Sequence, residues 1–265
     1  TSHPSNFAFL EHHSALLAQL GIRAERYLAL DDPNTCLLKL RQFGETLAQT
    51  VAGQAGLLKP EGESQYDLLR RLLDEGILTR EIYWLFGEIR RAGNTANHQV
   101  GGDRELALNM LQAAWQLGVW FYRSRVDAAF APQDFVEPGA FAIPKTEVVA
   151  EAEIEQARAE ALRALIARQP KTGKTKTKTF EQYRAAAQQA GQNLRLDESA
   201  TRQLLIDPKL RQAGWEADSA TLHYGNGTRP QKGRNLAIAE WPVKNGYADY
   251  VLFIGLMPVA VVEAK

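Results

Sequence analysis

The sequence predicts an α plus α/β protein. An all-helical domain spans residues 1–125, a linker with connecting helices spans 126–193, and the first part of a mixed-sheet domain spans 194–265. Three observations predict this. Leu37, Leu38, Leu40, Phe43, Leu47 and Val51 recur at spacings of three and four, the signature of one buried helix face. Pro132, Pro138 and Pro144 then interrupt the chain ahead of a charged, alanine-rich stretch. The last seventeen residues, Asp249 to Lys265, read as two apolar strands joined by a tight turn.

In order, Ser5 is positioned to cap a helix that runs into Leu20 and stops at Gly21. The 37–51 helix follows. Ser64-Gln-Tyr-Asp67 resembles a capping box before Leu68, Leu69, Leu72 and Leu73. Thr79 opens a helix through Arg91 that Gly93 should end. Asp103 caps a long helix to about Arg125, with Leu106, Met110, Ala113, Ala114, Leu117, Trp120 and Phe121 on its buried side. A helix from Glu147 to about Gln169 lacks a broad apolar face and reads as a solvated or lightly packed connector. Lys171-Thr-Gly-Lys-Thr-Lys-Thr-Lys-Thr179 follows as a flexible basic segment, then a short helix from Phe180 to Gln189. A helix over Glu198–Ala213, closed by Gly214, opens the last domain. Leu236–Trp241 is a strand, and strands at 249–254 and 259–265 flank a turn at Gly255–Pro258.

Composition narrows the function. Lysine plus arginine balance aspartate plus glutamate at 31 each, so any nucleic-acid contact must come from local patches. The single Cys36 excludes an internal disulfide and suits a reducing cytoplasm. The longest apolar stretch, Val251–Val262, is too short to cross a bilayer and is broken by Gly255 and Pro258, so no membrane association is expected.

The chemistry concentrates at the end of the chain. Alternation along a strand puts Glu263 and Lys265 on one face and turns Ala264 away. Folding the hairpin returns Asp249 beside that pair, within one residue of register. Two carboxylates and an ammonium then share a strand end. Mg²⁺ prefers oxygen ligands and needs only one or two carboxylates with substrate phosphate. A lysine nearby can steady developing charge or orient water. The alternative is a hairpin whose Asp249 caps a turn and whose Glu263 and Lys265 are solvated. Against it, Val259–Val262 is too apolar for a solvated edge.

The upstream Asp249, the apolar run and Glu263-Ala-Lys265 resemble the PD-(D/E)XK nuclease core. Wider text agrees. Asp197–Trp215, Gly246–Phe253 and Ala260–Lys265 resemble the nuclease domain of the restriction (R) subunit of type I restriction enzymes. Ser5–Leu10, Asp32–Thr35, Lys39–Glu45 and Arg90–His98 are similar to the N-terminal helical domain of one branch of that family. The resemblance implies Mg²⁺-dependent cleavage of double-stranded DNA. Asp249 and Glu263 would bind the metal, Glu198 would join them from the preceding helix, and Lys265 would serve as the catalytic lysine. It further implies a longer protein with an ATP-driven motor. Its partners would be separate methylation (M) and specificity (S) subunits, the methylase using S-adenosylmethionine. The location would be cytoplasmic. A nuclease fold of this kind needs further strands after Lys265, so an incomplete domain, inactive by itself, is expected.

Other signals leave alternatives. Lys171, Lys174, Lys176 and Lys178 can touch DNA phosphates or merely aid solubility. Gly173-Lys174-Thr175 lacks the upstream glycine and flanking strand of a phosphate loop. Arg229, Lys232 and Arg234, among Gly225, Gly227 and Gly233, can follow a DNA backbone or form a solvated turn. Asp207, before Pro208, reads as structural. The helical domain resembles the HEPN superfamily, some of whose members cleave RNA with an Arg/His pair. Arg91 and His98 match that spacing, although Ala92 departs from the usual polar residue. The alternative for Arg91, Asn94 and His98 is a buried polar cluster at a helix junction.

Overall fold

The computed structural model describes residues 5–96, 102–139, 151–169, 178–192, 202, 206–244 and 246–263. The chain divides into two compact units, Thr1–Leu194 and Arg195–Lys265.

The first unit is helical: α1 (Ala15–Ala29), α2 (Pro33–Gln54), α3 (Gln65–Asp74), α4 (Arg80–Ala96), α5 (Arg104–Arg125), α6 (Glu151–Arg168) and α7 (Lys178–Gln192). Side-chain oxygens set five of the starts. Ser14 accepts from Leu17 N, Asp32 from Thr35 N, Ser64 from Asp67 N, Thr79 from Ile82 N and Asp103 from Leu106 N. Each satisfies an amide that the helix leaves without a partner. Helix α2 is central and packs against α1, α4, α5 and α6. Its Leu40, Phe43, Leu47 and Val51 are fully buried with Leu17, Leu20, Phe86 and Trp120. Burying each such side chain contributes roughly 1.5–3 kcal/mol.

Three expected helix boundaries fall elsewhere. Ser5 precedes a single 3-10 turn at Ala8–Leu10, and α1 starts ten residues later at Ala15. Gly21 is internal to α1, and a Cβ there would lie 2.2 Å from the Phe7 ring, so its role is close packing. Gly93 likewise does not stop α4. A Cβ there would meet Arg41 Cβ at 2.6 Å and Leu37 O at 3.0 Å.

Described parts of the stretch 126–193 pack on this unit. Residues 130–136 run along it, with the Phe130 ring 4.5 Å from Tyr122 and Val136 exchanging 2.8 Å hydrogen bonds with Asn6. Helix α6 buries Ile154 as its single fully covered residue. Polar groups hold it: Glu151 pairs with the buried cations Lys39 and Arg23, Arg158 with Glu45, and Gln169 exchanges two 3.1 Å bonds with the Leu58 backbone. The sequence pattern shows no apolar face, so periodicity alone does not disclose this docking. Helix α7 is fixed by Trp120 Nε1 donating to Ala187 O at 3.0 Å and Gln188 Nε2 donating to Gly76 O at 2.7 Å.

The second unit carries a short helix, α8 (Asp207–Gln212), and strands β1 (Glu216–Ala217), β2 (Asn235–Val243), β3 (Gly246–Ile254) and β4 (Met257–Val262). Strand order is β1-β2-β3-β4, with β1 parallel to β2 and the rest antiparallel, a small mixed sheet. One face packs Ala237, Ala239, Tyr250 and Leu252 on Leu210 and Ala217; the other packs Leu236, Ile238, Val251 and Phe253 against Leu222 and Tyr224. Of the helix expected over 198–213, the described continuous part is α8, which ends before Gly214 at φ +88.

The β3–β4 turn is tighter than expected: Gly255 and Leu256 alone connect the strands, and Gly255 has φ +61. A two-residue hairpin loop of this twist favours glycine there. Strand β4 also corrects an inference about burial. Met257, Val259 and Val261 are 67%, 45% and 57% exposed. Among the described residues β4 pairs with β3 alone, so its apolar composition does not by itself signal a buried site.

Candidate active site

Strand register brings Asp249 and Glu240 to one level of the sheet, with Glu263 one residue past the end of β4. Near the turn Phe253 pairs with Pro258 and Ile254 with Met257; farther along, Leu252 pairs with Ala260, Val251 with Val261 and Tyr250 with Val262. The shift between Leu252 and Phe253 is a β-bulge that inserts Val259 as an extra residue. Asp249 precedes Tyr250 and Glu263 follows Val262, the last residue of β4, so continuing the bulged register by one pair would set Asp249 and Glu263 across from each other. Without the bulge, Asp249 would face Val262 instead. On the other side, Ala239 pairs with Tyr250 and Trp241 with Ala248, which leaves Glu240 across from Asp249.

The pleat is interrupted at this level. Glu240 has φ +48, the left-handed region that side chains other than glycine seldom occupy. Alternation would put Trp241 with Ala237 and Ala239, yet it packs with Leu236 and Ile238. Ala248 is displaced in the same sense relative to Tyr250 and Leu252. Such local strain, of order 1–3 kcal/mol, persists where neighbours hold the backbone.

Arg202 is that neighbour. Its side chain is 7% exposed. Nη2 donates to Glu240 Oε1 at 2.6 Å and Nη1 to Asp249 Oδ1 at 3.4 Å. His223 Nε2 lies 3.0 Å from Glu240 Oε2. The other His223 nitrogen, Nδ1, accepts from Gly225 N at 2.9 Å, so Nε2 carries hydrogen in the neutral ring and donates to Glu240 without an added proton. Burial pushes the Glu240 carboxyl up, but the bond and charge of Arg202, then those of His223, outweigh it and hold it below the ordinary range.

A second buried acid anchors the sheet. Asp207 is 1% exposed; Oδ1 accepts from Tyr250 Oη at 2.7 Å and Oδ2 from Ser219 N and Oγ at 2.7 and 2.8 Å. Those bonds tie α8 to β3 and to the loop after β1, a structural role.

The expected site residues divide as follows. Asp249 is largely covered and Glu263 is exposed at the end of β4. Lys265 and Glu198 lie outside the described residues. Among the described residues, no group of three or more His, Cys, Asp or Glu side chains is placed to hold a metal ion. In the basic loop, Arg229 lies over the Tyr224 ring at 3.9 Å and donates to Tyr224 O and Thr228 O. Arg234 forks onto Glu216, which lowers the Glu216 carboxyl, so two of the three cations are already engaged within the chain. Lys232 is exposed. Lys171, Lys174 and Lys176 lie outside the described residues, and Lys178 begins α7.

In the helical unit, Arg91 is 53% exposed on α4 and pairs with Glu88, and Asn94 is exposed. The buried cluster expected around Arg91 and Asn94 is therefore not formed, because this side of α4 faces outward; His98 lies outside the described residues. Sequence reasoning missed Arg202 and Glu240. Glu240 did carry a signal, an acid ending the apolar run Leu236–Ala239, the same pattern that singled out Glu263. Arg202 carried none, since its partners come from strands about forty residues away.

Comparison with known proteins follows the same division of the chain. Residues 216–265 match the family described as the Type I restriction enzyme EcoKI endonuclease subunit second domain. Across 98% of its length the chain is 35% identical to the type I restriction enzyme EcoKI endonuclease subunit of Escherichia coli (strain K12). The chain spans 26% of that relative's length. No solved structure matches. The match over nearly the whole chain and the domain match at its end place this chain in the family of type I restriction enzyme endonuclease (R) subunits.

Proposed function

We propose that this chain supplies part of a Mg²⁺-dependent nuclease site of the PD-(D/E)XK kind, acting on double-stranded DNA within a type I restriction enzyme. The observation that supports the reading is the bulged β3–β4 register, whose outermost pair, Tyr250 with Val262, is followed by Asp249 on one strand and Glu263 just past the other. Their donor chemistry fits a hard divalent ion, which accepts carboxylate oxygens and retains several waters. Asp249 and Glu263 would hold the ion, with Glu198 assisting. When bound, Mg²⁺ lowers the pKa of its water and offsets charge on the phosphate oxygens. Lys265, two residues beyond Glu263 on the same strand face, would orient the attacking water and stabilise charge on the phosphate. Arg202 keeps Asp249 and Glu240 from repelling each other across the sheet.

On this reading the whole protein also uses ATP to drive a motor outside this chain. It works with methylation and specificity subunits, the methylase using S-adenosylmethionine. Its place would be the cytoplasm, where DNA is accessible. No helix among the described residues is long and apolar enough to cross a membrane. The lysines 171, 174, 176 and 178, with Lys232, are the cations we assign to DNA phosphates. Arg229 and Arg234 could contribute only by exchanging their present partners. The helical unit is read as HEPN-like, and no observation favours RNA cleavage through Arg91 and His98.

The test uses the full-length protein in its assembled enzyme. Asp249→Ala should abolish DNA cutting and leave DNA-stimulated ATP hydrolysis intact. Cutting at the normal rate by that variant overturns the site.

A further inference from the structure

The Arg202 guanidinium stands between two carboxylates from neighbouring strands, and its two contacts differ. The bond to Glu240 is 2.6 Å and that to Asp249 is 3.4 Å. Arg202 Nε is buried and has no partner among the described residues. The guanidinium is thus held by Nη2 on one side and leans toward Asp249 through Nη1.

We propose that Arg202 and Glu240 are positioning residues for Asp249: Glu240 anchors the guanidinium, and the guanidinium fixes the Asp249 carboxylate in place for a divalent cation. This rests on the nuclease reading above and deepens it.

Several physical points support the assignment. A planar fork can grip two carboxylates at once, and a point-charge ammonium cannot do so with the same geometry. An arginine alone beside a metal ligand would compete with the cation. Glu240 offsets this by supplying the counter-charge, and its carboxyl remains ionised because Arg202 and His223 both favour the charged form. The left-handed backbone at Glu240 fits this role, since strain held by surrounding contacts recurs where a side chain must be aimed. His223 completes the support by occupying the second Glu240 oxygen.

Partners that orient metal ligands typically change metal affinity or activity 10- to 100-fold when altered. Arg202→Lys retains the positive charge and removes the fork. Glu240→Gln retains a hydrogen-bonding side chain and removes the counter-charge, which releases Arg202 to compete at Asp249. Both should weaken cation binding in the same direction.

The experiment is calorimetric titration of the full-length protein with Mn²⁺, without DNA or ATP. The Asp249→Ala protein serves as the blank that isolates this site. Arg202→Lys and Glu240→Gln should each raise the Mn²⁺ dissociation constant about tenfold. The Mg²⁺ concentration for half-maximal cutting should move in parallel, and ATP hydrolysis should be unchanged. Lost thermal stability with an unaltered Mn²⁺ isotherm in either variant assigns that residue to folding alone and overturns the proposal. The two failures are distinguishable. If Asp249→Ala cuts normally, the nuclease site itself is misplaced. If Asp249→Ala is inactive while both variants bind Mn²⁺ as wild type does, only the positioning role is wrong.

Discussion

Tyr250→Phe removes a single oxygen from the interior of the sheet unit. Tyr250 is fully buried and donates to Asp207 Oδ1 at 2.7 Å, and Asp207 is itself 1% exposed. The substitution keeps the ring and its packing but withdraws a donor from a buried carboxylate. Hydrogen bonds to charged groups contribute about 1.5–3 kcal/mol, so the sheet unit should lose roughly 2 kcal/mol near neutral pH. A second consequence appears in alkali. Burial first, then the bond to Asp207 and its negative charge, push the Tyr250 phenol well above its ordinary range. A raised folded-state pKa means that the stabilisation is fully present below the unfolded value of about 10. Above it the unfolded chain releases the proton first, and stability falls by about 1.4 kcal/mol per pH unit until the folded phenol ionises. The phenylalanine variant has no such proton. Hydrogen exchange of the β3 amides in urea, at pH 7 and over a series above pH 10, measures both effects. Equal stability of the two proteins at pH 7, with equal alkaline slopes, would refute the reasoning.

Two further outcomes concern the helical unit. Trp120→Phe withdraws the donor to Ala187 O and leaves a gap beside α7, so urea unfolding should show a loss of about 2–4 kcal/mol with the fastest new exchange in α7. In α6, burial pushes the Glu151 carboxyl up, but the bond and charge of Lys39, then Arg23, hold it below the ordinary range. A lowered folded-state pKa gives stabilisation that is present above the ordinary carboxylate range and lost as pH falls through the folded value. Exchange in α6 should therefore accelerate at acid pH, and Glu151→Gln should remove that dependence; an unchanged acid profile in the variant would assign the docking to other contacts.

What could be read from the sequence follows the range of the forces involved. Ser64 and Asp103 act within three residues, and each caps the helix that follows it. The α2 periodicity is equally local, and its apolar positions form the core. Gly21 and Gly93 carry a stop signal that tertiary packing overrides, because Phe7 and Arg41 need the space. Helix α6 docks through charges from residues more than a hundred positions away, which no helical period reveals. At the site, the hairpin and its acids were legible to within one residue of register, which is as far as strand alternation and a turn reach. The Val259 bulge, the left-handed Glu240 and the Arg202 bridge depend on three-dimensional register, and only the fold discloses them.

The central claim is that Asp249 and Glu263 together hold a divalent ion. Crystals of the full-length protein soaked in Mn²⁺, with anomalous scattering recorded, locate such an ion directly. The account predicts a peak bonded to a carboxylate oxygen of each residue, at roughly 2.1 Å. A peak elsewhere, or Asp249 and Glu263 directed to opposite faces of the sheet, would contradict it.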